Sequence, residues 1–287
     1  MSTPELAADT DVPLDLRLSE AELVDVRETA TSFVERVVDD AGADGAVIGL
    51  SGGVDSSTVA SLAADALGPE RVYGLVMPSD VTSAESTSDG ERVATELGID
   101  YDVVDVSGVV DAVLDAVPDD SLRDEAAADA EPARTAVGNV RVRARAVTNY
   151  VVANAENRVV LGTGNRSEAM TGYYTKYGDQ AVDCNPIGPL YKQQVRQLAT
   201  ALDVPDRIVE KPPSAEMWLD QTDEGELGLD YDTLDAVLAL HVDGPLSAAA
   251  TVRTLDDVTA AQVDRVDDLV ARSEHKRQMP PAPALEL

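Results

Sequence analysis

The chain has 287 residues, 54 of them Asp or Glu against 22 Lys or Arg, for a formal net charge of −32. So anionic a surface disfavours sequence-independent nucleic-acid binding, which needs a basic face, and its self-repulsion is tolerable only under strong screening, as in a high-salt cytoplasm where the Debye length falls towards about 3 Å near 1 M salt. No apolar run reaches the roughly 18 residues of a membrane span, no basic-then-apolar leader opens the chain, and the single Cys184 rules out an internal disulfide and a cysteine-based zinc site, so the expected setting is cytoplasmic with no membrane partner.

Residues 1–18 are rich in Asp, Pro and Ala and read as a flexible acidic tail ahead of one domain spanning 19–279, and 280–287, with three prolines, reads as an extended C-terminal tail. A helix is predicted over 20–40 from Leu23, Val24, Phe33, Val37 and Val38 at helical spacing, with Ser19 as N-cap. A short apolar strand over 45–48 runs into Gly49-Leu50-Ser51-Gly52-Gly53-Val54-Asp55-Ser56-Ser57 and then into a helix. Further strands are predicted over 71–77, 101–106 and 158–161, with helices over 84–97, closed by Gly98, and 109–117, stopped by Pro118. Residues 119–134 form an acidic, Ala-rich excursion, mobile or loosely helical, and 137–154 a long helix carrying Asn139, Arg141, Arg143 and Arg145. After the fourth strand come an exit turn at Gly162-Thr163-Gly164-Asn165, a loop over 173–191, a helix over 192–202, a single turn near 205–209, a long lid loop over 211–228 and two or three helices between 231 and 273. This alternation is that of an α/β fold: a Rossmann-like parallel sheet in a three-layer α/β/α sandwich, with ligands at the carboxyl ends of the strands.

The turn at 49–57 carries the chemistry. Backbone N–H groups unpaired at a helix N-terminus converge on one point, where the helix dipole also favours an anion. Gly52 and Gly53 remove side chains that would keep a phosphate away, Ser51, Ser56 and Ser57 add hydroxyl donors, and Asp55 can hold Mg²⁺ beside the phosphates. There is no lysine in the loop, so it is a pyrophosphate cradle distinct from the Walker A type. Ser51-Gly52-Gly53-Val54-Asp55-Ser56 resembles the signature of the ATP pyrophosphatases, which cleave ATP between its α and β phosphates.

Seven other stretches narrow this: Gly138 to Arg145 (GNVRVRAR), Leu161 to Glu168 (LGTGNRSE), Thr171 to Asp179 (TGYYTKYGD), Pro189 to Lys192 (PLYK), Lys211 to Trp218 (KPPSAEMW), Asp223 to Gly228 (DEGELG) and Glu274 to Arg277 (EHKR). In order and spacing they resemble the NAD synthetase family over roughly residues 21–279, with the nucleotide fold described as adenine nucleotide alpha hydrolase-like. The resemblance implies ATP-dependent amidation of deamido-NAD by ammonia, the last step of NAD biosynthesis, through an acyl adenylate, with Mg²⁺ as the metal. It implies ATP contacts from Gly49, Leu50, Ser51, Gly52, Gly53, Val54, Asp55, Ser56, Thr163, Lys192 and Ser214, with Asp55, Lys192 and Glu168 catalytic and Asp55 and Glu168 on the metal. Deamido-NAD would be met by Arg143, Lys176, Asp183, His275 and Lys276, at the interface of a homodimer, and free ammonia would be the nitrogen donor.

Bland readings stand beside these. Glu168 could be a helix N-terminal acid, Arg143 part of a solvated face with Arg141 and Arg145, Phe33 a core residue and Trp218 a loop anchor; His241 has no assigned role. Only four lysines remain, Lys176, Lys192, Lys211 and Lys276, and in a chain otherwise stripped of lysine each is expected to meet an anion. The competing functions are a GMP synthetase ATP-pyrophosphatase subunit, which would share only the cradle, and a non-enzymatic adenine-nucleotide binding module, which would have no use for Asp55, Glu168 and Lys192 together.

Overall fold

The computed structural model describes residues 16–118, 131–219 and 221–283. Its centre is a parallel sheet of four strands, β1 (Gly45–Gly49), β2 (Val72–Val76), β3 (Asp100–Val103) and β4 (Arg158–Leu161), in the order β3-β2-β1-β4. Ile48 of β1 lies between Gly74 of β2 and Leu161 of β4. The order makes the chain wind outward from β1 to β3 and then return to the other side of β1. The switch point, where such folds open a crevice at the carboxyl ends of the strands, therefore lies between β1 and β4.

Period-two alternation divides the core. Ala46 and Ile48 point into one layer with Val34 and Val38 of α1 (Glu20–Ala41), Val59 and Leu62 of α2 (Val54–Leu67), and Val195 and Leu198 of the helix that begins at Lys192. Val47, with Leu75 and Val160, points into the other, with Val110 of α4 (Ser107–Ala116) and Ala144 and Ala153 of α5 (Glu131–Ala155). Each Val, Leu or Ile so enclosed contributes about 1.5–3 kcal/mol, which explains why β1, enclosed on both faces, needs no polar residue. β3 is an edge strand with mostly exposed side chains. Regular pairing ends at Val103, short of the expected 106, although Val104 and Val106 still donate to the carbonyls of Val76 and Pro78.

Local signals explain the helix ends. Ser19 caps α1 in a reciprocal box with Glu22, and Gly42 closes it at φ 63°. α3 (Ala84–Leu97) is capped by Ser83 and closed by Gly98. The long helix α5 begins at Glu131, six residues before its expected start, so the end of the acidic excursion is helical; 119–130 lie outside the described residues. Two short helices escape the sequence periodicity: α6 (Arg166–Thr171), directly after the β4 exit turn, and, beyond α7 (Lys192–Ala201) and α8 (Asp206–Val209), α9 (Asp223–Leu227) inside the expected lid loop. Neither is long enough to display a hydrophobic period.

The C-terminal helices α10 (Tyr231–Val237), α11 (Ala248–Thr254) and α12 (Ala260–Arg277) enclose a third core around Tyr231, Leu234, Leu238, Val263 and Val266, against which Met170, Tyr173 and Tyr191 pack. At the other end of the chain, Leu16 and Leu18 are tied to Gln194 and Gln197 of α7, so this stretch of the expected tail is docked. No helix among the described residues is long and apolar enough to cross a membrane.

Candidate active site

The carboxyl ends of β1, β2 and β4 open into a cavity of about 470 Å³ that is walled on its far side by residues 211–218. The cradle forms its floor. Gly53, at the N-cap of α2, faces it: a Cβ there would meet nothing closer than Ser51 Oγ at 3.4 Å. Gly52 is needed for another reason. It holds φ +74° and a Cβ would lie 2.3 Å from the Ser86 carbonyl, so its bareness admits helix α3 and not, as the sequence suggested, a phosphate. Ser51 Oγ and Ser56 Oγ are 3.0 Å apart beside the cavity; the Ser56 and Ser57 hydroxyls both reach the Gly53 carbonyl, at 3.1 and 2.8 Å, and Ser57, which does not line the cavity, is not an outward donor.

Three expected catalytic residues meet at one edge of this floor. Lys192, the first residue of α7 and only 3 % exposed, places Nζ 2.5 Å from Asp55 Oδ2 and 3.2 Å from Glu168 Oε1. Asn165 holds the group together: its Nδ2 donates to Asp55 Oδ1 at 2.9 Å, and its Oδ1 accepts the Glu168 N–H at 3.0 Å. Glu168 Oε2 in turn accepts the Asn165 N–H, completing a capping box for α6. The helix-terminal acid and the acid facing the lysine are thus one side chain, using one oxygen for each task.

Asp223 of α9 adds a third carboxylate that sequence reasoning passed over. It is 4 % exposed, its Oδ2 accepts from the Tyr231 hydroxyl at 2.9 Å, and its buried Oδ1 has no hydrogen-bond partner among the described residues. Tyr231 also lies under the lysine, with Nζ 5.1 Å from its ring centroid. Burial works against the Lys192 ammonium, but Asp55, Glu168 and Asp223 outweigh it and hold the pKa above the ordinary lysine value. Burial pushes Glu168 up, opposed by Lys192 and reinforced by Asp55; it raises Asp223 in the same way. Three carboxylates share one ammonium, so the corner attracts further positive charge. Asp55 and Glu168, with the unpartnered Asp223 oxygen behind them, fit a Mg²⁺ ion that takes one or two carboxylates from protein and completes its shell with water and substrate phosphate. Among the described residues no group of three or more Asp, Glu, His or Cys forms a self-sufficient metal cage.

Four of the five residues expected at the second substrate meet elsewhere, in a cluster of which only Lys276 lines the cavity. Arg143 Nη2 donates to the Lys176 carbonyl at 3.1 Å, Lys176 Nζ to the His275 carbonyl at 2.6 Å, and Lys276 Nζ to the carbonyls of Gly172 and Tyr174 at 2.7 Å each. They join α5, the 172–178 turn and the end of α12. Asp183 does not join them: its Oδ2 accepts the Val160 N–H at 2.7 Å and its Oδ1 the Tyr150 hydroxyl at 3.0 Å, covering the outer edge of β4. Thr163 and Ser214 line the cavity. The Ser214 hydroxyl donates to the Gln221 carbonyl at 2.7 Å, and Trp218 lines the wall under the Arg134 guanidinium, 4.5 Å away.

Arg141 and Arg145 are not the solvated neighbours the sequence offered as an alternative for Arg143. Arg141 is 8 % exposed, with Nε 3.0 Å and Nη2 2.9 Å from the Asp80 carboxylate, and Arg145 donates to the Met77 carbonyl at 2.9 Å. Their spacing of four residues, which puts both on one helix face, was the available signal. Phe33 packs on the α1 side of the sheet, outside the cavity. His241 bridges the Leu246 carbonyl and Asp267 on the surface of the C-terminal helices.

The sequence pattern of the family described as NAD synthase matches residues 26–280. An NH₃-dependent NAD⁺ synthetase from Halobacterium salinarum is 58 % identical over 277 residues, which is 96 % of this chain and 99 % of that one. Among solved structures, an NMN synthetase from Francisella tularensis superposes with a TM-score of 0.76 at 31 % identity, covering 92 % of this chain and 99 % of that one. An NH₃-dependent NAD synthetase from Campylobacter jejuni gives 0.73 at 27 %, covering 91 % and 99 %. Sequence pattern, close relative and superposed fold agree over nearly the whole length, and the chain belongs to the NAD synthase family.

Proposed function

We propose that this protein is a carbon–nitrogen ligase that amidates the nicotinate carboxylate of deamido-NAD with free ammonia, cleaving ATP to AMP and pyrophosphate. The observation that carries the proposal is Lys192, buried between Asp55 and Glu168 where the cradle meets the cavity. A carboxylate is a poor electrophile, so an oxygen of the nicotinate group first attacks the α-phosphorus of ATP; pyrophosphate leaves and an acyl adenylate forms. Ammonia then attacks the acyl carbon, AMP leaves with the electron pair of the broken C–O bond, and the nitrogen sheds a proton. Both partners in the first step are anions, so catalysis there is neutralisation and alignment. The first-turn amides of α2 with Ser51 and Ser56 receive the phosphates. Gly49, Leu50, Gly52, Gly53 and Val54 shape that receptor, and Thr163 and Ser214 meet ATP from the β4 turn and the far wall. Asp55 and Glu168 would hold Mg²⁺, which would supply positive charge to neutralise the phosphates. Lys192 orients both carboxylates and brings its ammonium to the phosphate side of the cradle. Arg143, Lys176, Asp183, His275 and Lys276 serve deamido-NAD, and Trp218 closes the cavity against water.

A homodimer is part of the same reading. Helices α4 and α5 pack together and present Val109, Val113, Val147 and Val151 to solvent, the last two 61 % and 62 % exposed, an apolar face unusual on so acidic a surface.

The test is pyrophosphate release by purified protein in about 2 M KCl, where charges are screened within about 2–3 Å, with ATP, Mg²⁺ and ammonium. Deamido-NAD, nicotinate mononucleotide and xanthosine monophosphate are compared as acceptors. Release with NAD formed from deamido-NAD is the expected result. The mononucleotide is included because the superposed Francisella protein is an NMN synthetase; release with it alone would transfer the chemistry to the smaller substrate. Release with xanthosine monophosphate alone would leave only the cradle correctly read.

A further inference from the structure

Lys192 is the first residue of α7, and the amides there need partners from outside the helix. The side chain of Tyr191, just before it, is engaged elsewhere, its hydroxyl donating to Asp243 at 2.5 Å. The Lys192 N–H donates instead to Ser167 Oγ of α6 at 3.0 Å, and the Gln193 N–H to Asp235 Oδ2 of α10 at 3.0 Å. The Ser167 hydroxyl in turn donates a hydrogen bond to Asp235 Oδ1. Ser167 and Asp235 are both fully buried, and neither lines the cavity. One carboxylate therefore ties together three helices. On α6, Ser167 is followed directly by Glu168. On α7, the bonded amides belong to Lys192 and its neighbour. On α10, Asp235 lies one turn beyond Tyr231, whose ring lies under the lysine ammonium.

We infer that Asp235 is a positioning residue for adenylation, acting through Ser167 and the Gln193 amide to hold Lys192 and Glu168 in register with Asp55. The inference rests on the proposed role of Lys192. A carboxylate at this place does two things at once. It satisfies two donors that would otherwise be buried unpaired, and it puts negative charge at the positive end of α7. A hydrophobic residue of similar volume would fill the space but leave the α6–α7 register free to slip. Displacements of about 1 Å in a supporting shell can cost on the order of 10²-fold in rate.

The experiment measures deamido-NAD-dependent pyrophosphate release per folded molecule, the folded fraction being taken from circular dichroism. The variants are Asp235→Ala, Asp235→Asn, Ser167→Ala and the Asp235→Ala/Ser167→Ala pair. Asp235→Ala is expected to lower kcat about tenfold or more while KM for ATP stays within about twofold, Asp235→Asn to recover most of that loss, and the pair to be no worse than Asp235→Ala alone. Wild-type kcat per folded molecule in Asp235→Ala, or losses that multiply in the pair, would overturn the inference. If Asp235→Ala does not fold, Ser167→Ala and Asp235→Asn carry the test: a fall in kcat at unchanged KM in Ser167→Ala supports it, and wild-type kcat in both overturns it. Lys192→Ala separates the two readings. Full turnover in that variant would remove the role of Lys192 on which the inference rests. Loss of turnover there, with Asp235→Ala unimpaired, would remove only the inference.

Discussion

The charged corner of the cavity and the basic cluster beside it, which reaches the cavity through Lys276, are built on opposite plans. At the cradle, Lys192, Asp55 and Glu168 are paired with one another and locked from behind by Asn165, Ser167 and Asp235, so charge is concentrated before any ligand arrives. Between α5 and α12, Lys176 and Lys276 donate their hydrogen bonds to carbonyls of their own chain, bonds that the proposed binding of an anion would have to exchange. The first corner is preorganised for developing charge, the condition for raising kcat. On the proposed roles the second is a surface for binding, whose strength would appear in KM.

The largest effect expected is common to corner and cluster. Transfer from about 2 M to about 0.1 M KCl lengthens the Debye length from roughly 2 Å to roughly 10 Å, and a chain of net charge −32 should unfold. A circular-dichroism spectrum unchanged across that range would show that the acidic surface needs no salt. Lys192→Ala separates the two: pyrophosphate release should fall to background, and because two carboxylates lose their partner the variant should also be less stable by about 3–5 kcal/mol in denaturant titrations. Lys176→Met should instead raise KM for deamido-NAD about tenfold with kcat and KM for ATP nearly unchanged; an equal fall in kcat would mean that the cluster, too, acts in the transition state.

The smallest effect is a pH dependence. Burial pushes Asp235 up to about 6, opposed by the bonds from Ser167 and Gln193 and by Lys192, and reinforced by Asp232. A carboxyl raised in the folded state binds protons there that the unfolded chain, with its carboxyl near 3.9, does not. Its contribution to stability therefore grows as pH falls from about 6 to about 4, by about 1–3 kcal/mol. The stability of the wild type relative to Asp235→Asn should rise over that interval in high salt. A flat difference would mean that Asp235 titrates normally.

What could be read from the sequence was what the chain does locally. Gly45 to Ser57 announced strand, turn and helix because a run of apolar residues, two glycines and a serine cluster each constrain their own backbone. The trio at the cradle was named through motif resemblance, but its backing was not. Asp223, Tyr231 and Asp235 reach Lys192 or its helix across 31, 39 and 43 residues, separations no periodicity reveals. Asp183 shows the converse. It lies seven residues after Lys176, yet it covers the edge of β4 while Lys176 turns to α12, because the loop between them reverses at Tyr177, with φ 59°, and Gly178. Arg141 and Arg145 were visible as residues, but which way the helix turned them depended on Asp80 and the end of β2, set by the fold.

The wide separation along the chain of the residues that form the charged corner also bears on its biogenesis. Asp55 is made early, Glu168 and Lys192 past the middle, and the buttress on α10 later still, so the cradle can fold into a strand–turn–helix long before anything opposes Asp55. Contacts of such sequence separation form late and slowly. On the proposed roles, an emerging chain would offer a phosphate a resting place without being able to spend ATP, and competence for chemistry would arrive only when α10 docks on α6 and α7.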